Sequence, residues 1–511
     1  MFREMIQGLP GVGGSWRKLG QGDGPAPSPE IAILGTGFGG LGMAIRLMQA
    51  GIRSFTIYEK ADGVGGTWRD NTYPGAECDV PSHLYSLSFA PEPGWSRHYP
   101  AQPEILAYLE RITDEWGLRP HIRFGVEIAA AEWDDEAAEW RLEATTGESF
   151  GADLMVSGLG QLNRPGFPDI PGLESFEGAV FHSARWDHGH DLTGDRVAVI
   201  GNGASAVQFV PQIAGSTSAL TIFQRSANWI MPKKNPPFST LMKRIFTAVP
   251  AVDRAYRAWI YLSFEARFLL FRRESRFARL IEKASTKYLY EEIADPELRA
   301  KLRPDYPIGC KRILAISDYY STLARPDVDV VTDPITQVTA HGVVTEDGTE
   351  HEIDTIILAT GFDSTHFLAP VQFVGRAGQK LDEVWHDGAE AYLGMTVAGF
   401  PNLFLLYGPN TNLGHNSIVF MLERQIGYIL QCIDELRFGA MASLDVRPEV
   451  MADYNRAVQR RMRQTVWEAG CHSWYKTESG KVTNNWPTFT LEYWLATRHP
   501  LPGAFESRST R

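Results

Sequence analysis

Ile31-Ala32-Ile33-Leu34-Gly35-Thr36-Gly37-Phe38-Gly39-Gly40 is a short apolar run that ends directly on a glycine-rich turn. Leu41 to Ala50 follows with helical character, and Ser54-Phe55-Thr56-Ile57-Tyr58 is a second apolar run closed by Glu59. Strand, turn, helix, strand and acid in this order begin a βαβ dinucleotide-binding unit. Gly35 permits the tight turn, Gly37 lets backbone approach a pyrophosphate, and Gly40 lets the helix pack on the strand; Gly39 belongs to the same turn. The helix N-terminus offers the phosphates its positive end. Glu59 stands where an acid takes ribose hydroxyls. Alone, the glycine pattern is weak; the strand before it and the acid after it give it weight.

The pattern recurs. Arg196 to Ile200 is again strand-like, Gly201-Asn202-Gly203-Ala204-Ser205-Ala206 is the turn, and Val207 to Ile213 continues as helix. The next strand, Leu220 to Phe223, runs into Gln224-Arg225-Ser226 where the first copy has its acid. An acid there would repel a 2′-phosphate, whereas Arg225, with Ser226 beside it, offers a cationic fork. The second dinucleotide is therefore expected to be NADPH. The chain reads as α/β, with two doubly wound, Rossmann-like dinucleotide domains.

Composition narrows the class. Net charge is −12 and no basic stripe dominates, which disfavours a nucleic-acid partner. Four cysteines, Cys78, Cys310, Cys432 and Cys471, lie far apart without a C-x-x-C pair. Their scatter argues against a metal site or a redox dithiol and suits a reducing, cytoplasmic setting. No apolar run reaches membrane-spanning length. Residues 1–27 include a Gly/Pro-rich stretch and read as a flexible tail. From about 239 to 300 the pattern turns helical, with eleven basic and four acidic residues between Lys243 and Lys287. A helical subdomain packing its own core is the preferred reading; a face for apolar substrates or a membrane surface is the alternative.

Two further stretches carry a resemblance. Gly65 to Asp79 reads G-G-x-W-x-x-x-x-Y-P-G-x-x-x-D, and Phe176 to Asp187 reads F-x-G-x-x-x-H-x-x-x-W-D. Together they resemble the fingerprints of type I Baeyer–Villiger monooxygenases, from about residue 30 to 420 and more faintly beyond. The resemblance implies FAD in the first unit, NADPH in the second, and insertion of one oxygen atom of O2 beside a ketone carbonyl. It places Gly66, Thr67 and Trp68 against the flavin, with Asp79 and Tyr85 close to it, Ile128 near the adenine, and the helix at Ile418 abutting the ring. In the segment Ile308-Gly309-Cys310-Lys311-Arg312 it puts Lys311 on the NADPH phosphate and Arg312 over the flavin. Asp79 and Arg312 are the catalytic candidates. Leu413, Gly414 and His415 match a bulge lining the substrate pocket, and no partner for His415 is evident in the sequence. Trp474 falls in a loop that folds over NADP, although the G-A-N that usually precedes its Gly-Lys is absent. Phe176, Gly178, His182 and Trp186 form the joining signature, with domain coupling rather than proton transfer implied for His182.

The expected domains are 28–165 for FAD, 166–345 for NADPH with the insertion at 239–300, and 346–511 for the returning part of a discontinuous FAD domain. Asp354 to Phe362, ending in A-T-G-F, is taken as the returning strand. A flavin-containing N- or S-monooxygenase shares both turns, but its fingerprint usually ends in Tyr or Phe where Trp186-Asp187 stands. A disulfide reductase needs a dithiol, and an NADPH sensor would have no use for Arg312 or Asp79. Sulfoxidation is compatible with the same chemistry.

Overall fold

The computed structural model describes residues 28–439, 441–468, 470, 471 and 473–509. The expected tail, residues 1–27, lies outside them.

Strand β1 (Ile31–Leu34) is buried at all four positions, as a strand must be when both faces of a parallel sheet are covered. Helix α1 (Phe38–Gln49) follows the turn, and β2 (Phe55–Glu59) pairs parallel with β1, Ile33 opposite Ile57. Strands β3 (Ile122–Phe124), β4 (Leu154–Ser157) and a returning strand at Leu403–Leu405 complete a five-stranded parallel sheet. Its core joins α1 to the long helix Ile418–Phe438 through Leu41, Ile45, Ile426 and Ile429. A small sheet built on Ile128–Asp134 and Glu139–Ala144 stands beside it, clasped by Trp140, whose Nε1 donates to Pro401 O at 2.8 Å. Ile122–Phe124, a few residues before the small sheet, pairs with β2 instead.

The second parallel sheet is built from β5 (Ala179–His182), β6 (Arg196–Ile200), β7 (Ala219–Phe223), β8 (Val328–Val331) and β9 (Thr355–Leu358) in the order β8-β7-β6-β9-β5. Helix α2 (Ala204–Ile213) opens on its glycine turn. Here the structure corrects the reading of Asp354 to Phe362 as the strand that returns to the first domain. Thr355–Leu358 lies between β6 and β5 inside the second sheet, and the strand that returns to the first sheet is β10 (Leu403–Leu405). An apolar run ending in a Gly turn fits either sheet; only register decides.

The two turns require glycine at three positions. Gly35 and Gly201 take φ of 91° and 106°, in the left-handed region open to few other residues. At Gly40 a Cβ would overlap the Gly35 carbonyl, so helix and strand can approach only there.

The insertion contains α3 (Thr240–Ala248), α4 (Pro250–Glu265) and α5 (Arg276–Glu292), and the helix at Ile418–Phe438 is α6. Among the described residues no helix is long and apolar enough to cross a membrane. Tertiary folding also joins two of the scattered cysteines: Cys310 and Cys471, 161 residues apart, form a disulfide with a Cα–Cα distance of 6.4 Å. The sequence spacing gave no sign of this pairing, which runs against the reading of the scattered cysteines as suited to a reducing setting.

Candidate active site

One cavity runs from the first glycine turn to the start of α2. Gly35, Gly37, Gly39 and Glu59 line one end, with Ile128 close by; Gly66, Thr67, Trp68, Asp79, Tyr85, Arg312, Leu413 and Ile418 line the rest, and Ala204 and Ser205 enter from the second unit. Residues separated by hundreds of positions thus share one wall. Gly40 stays behind it as a packing glycine.

The local chemistry follows from the motif. Trp68 Nε1 donates to Tyr85 Oη at 3.1 Å, fixing both rings edge to face. Glu59 accepts from Thr36 N at 2.9 Å and Oγ1 at 2.6 Å, so the turn and the acid are locked together. Thr67 Oγ1 donates to Leu162 O. The cradle of glycine backbone, a buried acid at the strand end and an aromatic wall fits a flavin dinucleotide, polar at one end and flat at the other. Cys78, beside Asp79, is a buried thiol whose pKa burial pushes up to about 12, which leaves it protonated.

Asp79 and Arg312 meet across 233 residues. Arg312 donates from Nε at 3.0 Å and from Nη2 at 2.6 Å to the Asp79 carboxylate, a forked charge-assisted contact. Burial raises the Asp79 pKa, but the neighbouring guanidinium more than reverses this and leaves it below the usual range. The carboxylate in turn raises the Arg312 pKa. Arg312 keeps 41% of its side chain exposed at the cavity wall. A fixed positive charge therefore lines the cavity.

Nothing in the linear spacing announced Lys233 and Gln208. Lys233 Nζ reaches Glu77 Oε1 at 2.6 Å and Cys78 O at 3.0 Å, bracing the segment that carries Asp79. Gln208 on α2 accepts from Tyr73 Oη at 3.0 Å and donates to Glu77 O at 3.0 Å. The second unit thereby grips the first unit's fingerprint.

At the second turn, Asn202 Nδ2 donates to Gln224 Oε1 at 2.7 Å and Ser226 O at 2.9 Å, pinning the loop that carries Arg225. Gly203 precedes α2, and Ala206 is buried beneath its first turn. Lys311 Nζ donates to Ser226 Oγ at 2.7 Å and stands over the Tyr306 ring. Its pKa is lowered, chiefly by burial, and Arg225 adds to the lowering. Arg225 forms no ion pair with any described residue. Two neighbouring cations and a hydroxyl make an anion site.

The joining signature is built into the second sheet. Trp186 packs on Phe181 and on Phe209 of α2, both at 5.2 Å. Gly178 lies so close to Asp354 O and the Phe176 ring that no Cβ fits. His182 pairs with Leu358, and its Nδ1 accepts from Ala184 N at 3.0 Å. Burial pushes its pKa down to about 4, so the fold holds the neutral ring. The unfolded ring titrates near 6.5. Its contribution is therefore complete above that pH and is lost as pH falls toward 4. His182→Asn keeps an acceptor without a charge, so parent stability should drop more steeply than that of the variant between about pH 7 and 4, by on the order of 2–3 kcal/mol. Parallel melting-temperature profiles would remove His182 from this role.

At the other end the structure departs from expectation at His415 and Gly414. His415 does have a partner: its Nε2 lies 3.6 Å from Glu265 Oε2 on α4. Glu265 also accepts from Asn416 Nδ2 at 2.9 Å and Thr490 Oγ1 at 2.7 Å. Leu413 lines the cavity, whereas Gly414 sits behind it against Phe271 and Trp467. Trp474 packs on Tyr475 at 4.6 Å in a separate aromatic cluster with Trp467 and the Cys310–Cys471 pair, and does not line the cavity.

Known proteins resemble this chain over most of its length. Residues 32–251 match the family model described as pyridine nucleotide-disulphide oxidoreductase. The chain is 46% identical over 471 residues to a Baeyer–Villiger monooxygenase of Streptomyces coelicolor, covering 92% of this chain and 91% of that protein. It is 44% identical over 500 residues to a Baeyer–Villiger monooxygenase of Pseudomonas aeruginosa, covering 97% and 95%. Among solved structures, oxidized steroid monooxygenase bound to NADP superposes with a TM-score of 0.84 at 31% identity, covering 94% of this chain and all of that one. Closed cyclohexanone monooxygenase gives 0.85 at 29%, covering 94% and 99%. Fold and site define a flavoprotein monooxygenase with two dinucleotide domains. Within that class, the chain belongs to the Baeyer–Villiger monooxygenase family.

Proposed function

We propose that this protein is an NADPH- and FAD-dependent monooxygenase that inserts one oxygen atom of O2 beside a ketone carbonyl, giving an ester or lactone. The observation that carries the reading is the forked Asp79–Arg312 pair at the wall of a cavity shared by both dinucleotide units. When bound, FAD supplies the centre at which oxygen is activated and NADPH supplies the hydride that reduces it.

The residues divide the remaining work. Gly35, Gly37 and Glu59 would bind the FAD pyrophosphate and ribose, and Trp68 with Tyr85 would wall the flat ring. Ile418, at the start of α6, would close the ring's other side. Arg225, Ser226 and Lys311 would hold the NADPH 2′-phosphate. Arg312, aimed by Asp79, would hold the ketone oxygen as negative charge develops on it, a role in which preorganised charge is effective. The Gln208 clasp would keep the two units in register, so that water is excluded while both cofactors are in place.

A panel of cyclic, linear and aryl ketones, supplied with O2 and NADPH, tests the proposal. Products heavier than the ketone by one oxygen, identified as esters or lactones by mass and retention, are expected for at least one member. NADPH consumption with hydrogen peroxide and no oxygenated ketone across the panel would sink it. Oxidation confined to amines or sulfides would favour the N- or S-monooxygenase reading.

A further inference from the structure

Helix α4 has two faces, and only one is accounted for by packing. Its inner face is firmly docked: Ile260 and Phe264 are buried against Leu84. Arg257 donates to His83 O at 2.6 Å and Ser86 O at 2.8 Å, and Glu265 makes the buried bonds described above. Its outer face runs Val252, Ala255, Trp259 and Leu262 at steps of three and four, apolar throughout and exposed. Trp259 is 64% exposed and Leu262 65%. Helix α3, packed on α4 through the Phe246–Tyr256 ring pair at 5.3 Å, adds Leu241, 69% exposed, and Met242. A solvated helix normally turns charged residues outward. Here the docked inner face rules out rotation of the helix as a remedy.

The charges around this face are one-sided. Helices α3 and α4 carry the exposed bases Arg244 and Arg254 and no exposed acid, and from Ser239 to Lys287 as a whole nine bases are exposed against one exposed acid, Glu274. The other acids are withdrawn: Asp253 faces His83 at 3.4 Å, Glu265 is buried, and Glu282 is half-buried. This basic segment belongs to a chain of net charge −12.

We infer that the α3–α4 face of the insertion docks on an anionic lipid surface. Such a surface meets both features at once, with apolar side chains entering the acyl boundary and bases meeting the headgroups. A nucleic acid would satisfy the bases but leave Trp259, Leu262 and Leu241 in water. A second copy using the same patch would set bases against bases. Docking would also bring the bilayer to the helix whose inner face bonds Asn416, a residue of the cavity wall. An apolar substrate could then enter from the lipid.

The test is co-sedimentation of the purified 511-residue chain with vesicles. Phosphatidylcholine vesicles are compared with vesicles of phosphatidylcholine and phosphatidylglycerol, at about 0.1 M and about 0.5 M salt. Binding to the anionic vesicles alone, weakened at least about tenfold by the higher salt, is expected. The pair Trp259→Glu with Leu262→Glu, and separately Arg244→Glu with Arg254→Glu, should each lower partitioning at least about tenfold. Circular dichroism and melting curves serve as the check on folding. Absence of binding to either vesicle by the parent overturns the inference without recourse to a variant. So does loss on charge reversal with no effect of the Trp259 and Leu262 changes, which would mark adventitious attraction. A dimer in light scattering that those apolar changes dissolve would assign the face to a second copy instead.

Discussion

Arg312→Ala is expected to lower ketone oxygenation by about two to three powers of ten while FAD remains bound. When a ketone carbonyl is attacked, negative charge develops on its oxygen. A guanidinium held at the cavity wall stabilises that charge without reorganising at the moment of reaction. Asp79 fixes the guanidinium through its 3.0 Å and 2.6 Å contacts. FAD binding rests on other groups, the glycine turn, Glu59 and the Trp68–Tyr85 wall, so it should survive the change. Rapid-mixing spectra separate the steps: flavin bleaching by NADPH should persist in some measure while ester formation fails. Arg312→Lys should recover a part, since Lys keeps the charge but loses the fork to Asp79. Oxygenation at near the parental rate in the Ala variant would reduce Arg312 to a structural cation and remove the core of the mechanism.

The second large effect concerns nucleotide choice. Arg225→Ala should raise the apparent constant for NADPH about ten- to hundredfold, matching the loss of one charge-assisted contact of about 1.5–3 kcal/mol. NADH lacks the 2′-phosphate and should be affected little. The geometry makes Arg225 available for this: it makes no ion pair with a described residue, while Lys311 is already held by Ser226 at 2.7 Å. A double change of Arg225 and Lys311 to Ala should erase the preference for NADPH altogether. Equal losses for the two nucleotides in the single variant would reassign Arg225 to the solvated surface.

What could be read from the sequence was local. The two glycine turns, the strands before them, Glu59 against Arg225, and the fingerprint from Gly65 to Asp79 are patterns of near neighbours. Backbone sterics and burial write such patterns within a dozen positions. The structure places the expected strands on either side of both turns, and Gly35 and Gly201 in the left-handed conformation the turns require. Asp79 and Arg312, both set by the flavin through the family resemblance, are in direct contact.

Everything set by long-range register stayed out of reach. Thr355–Leu358 has the composition of any buried parallel strand, and only hydrogen bonding to β5 and β6 decides its sheet. The Glu265 partner of His415 lies on an insertion helix, and Cys310 finds Cys471 across 161 residues. Neither spacing carries a signal, because the intervening chain folds on its own terms. The outward apolar stripe of α4 was equally hidden. An amphipathic pattern shows that a helix has two faces, but which face the rest of the molecule covers is a property of packing. The sequence by itself determined two nucleotide units and their chemistry; the tertiary structure decided which distant side chains share a wall, because contact depends on how the sheets are ordered and not on the spacing of residues along the chain.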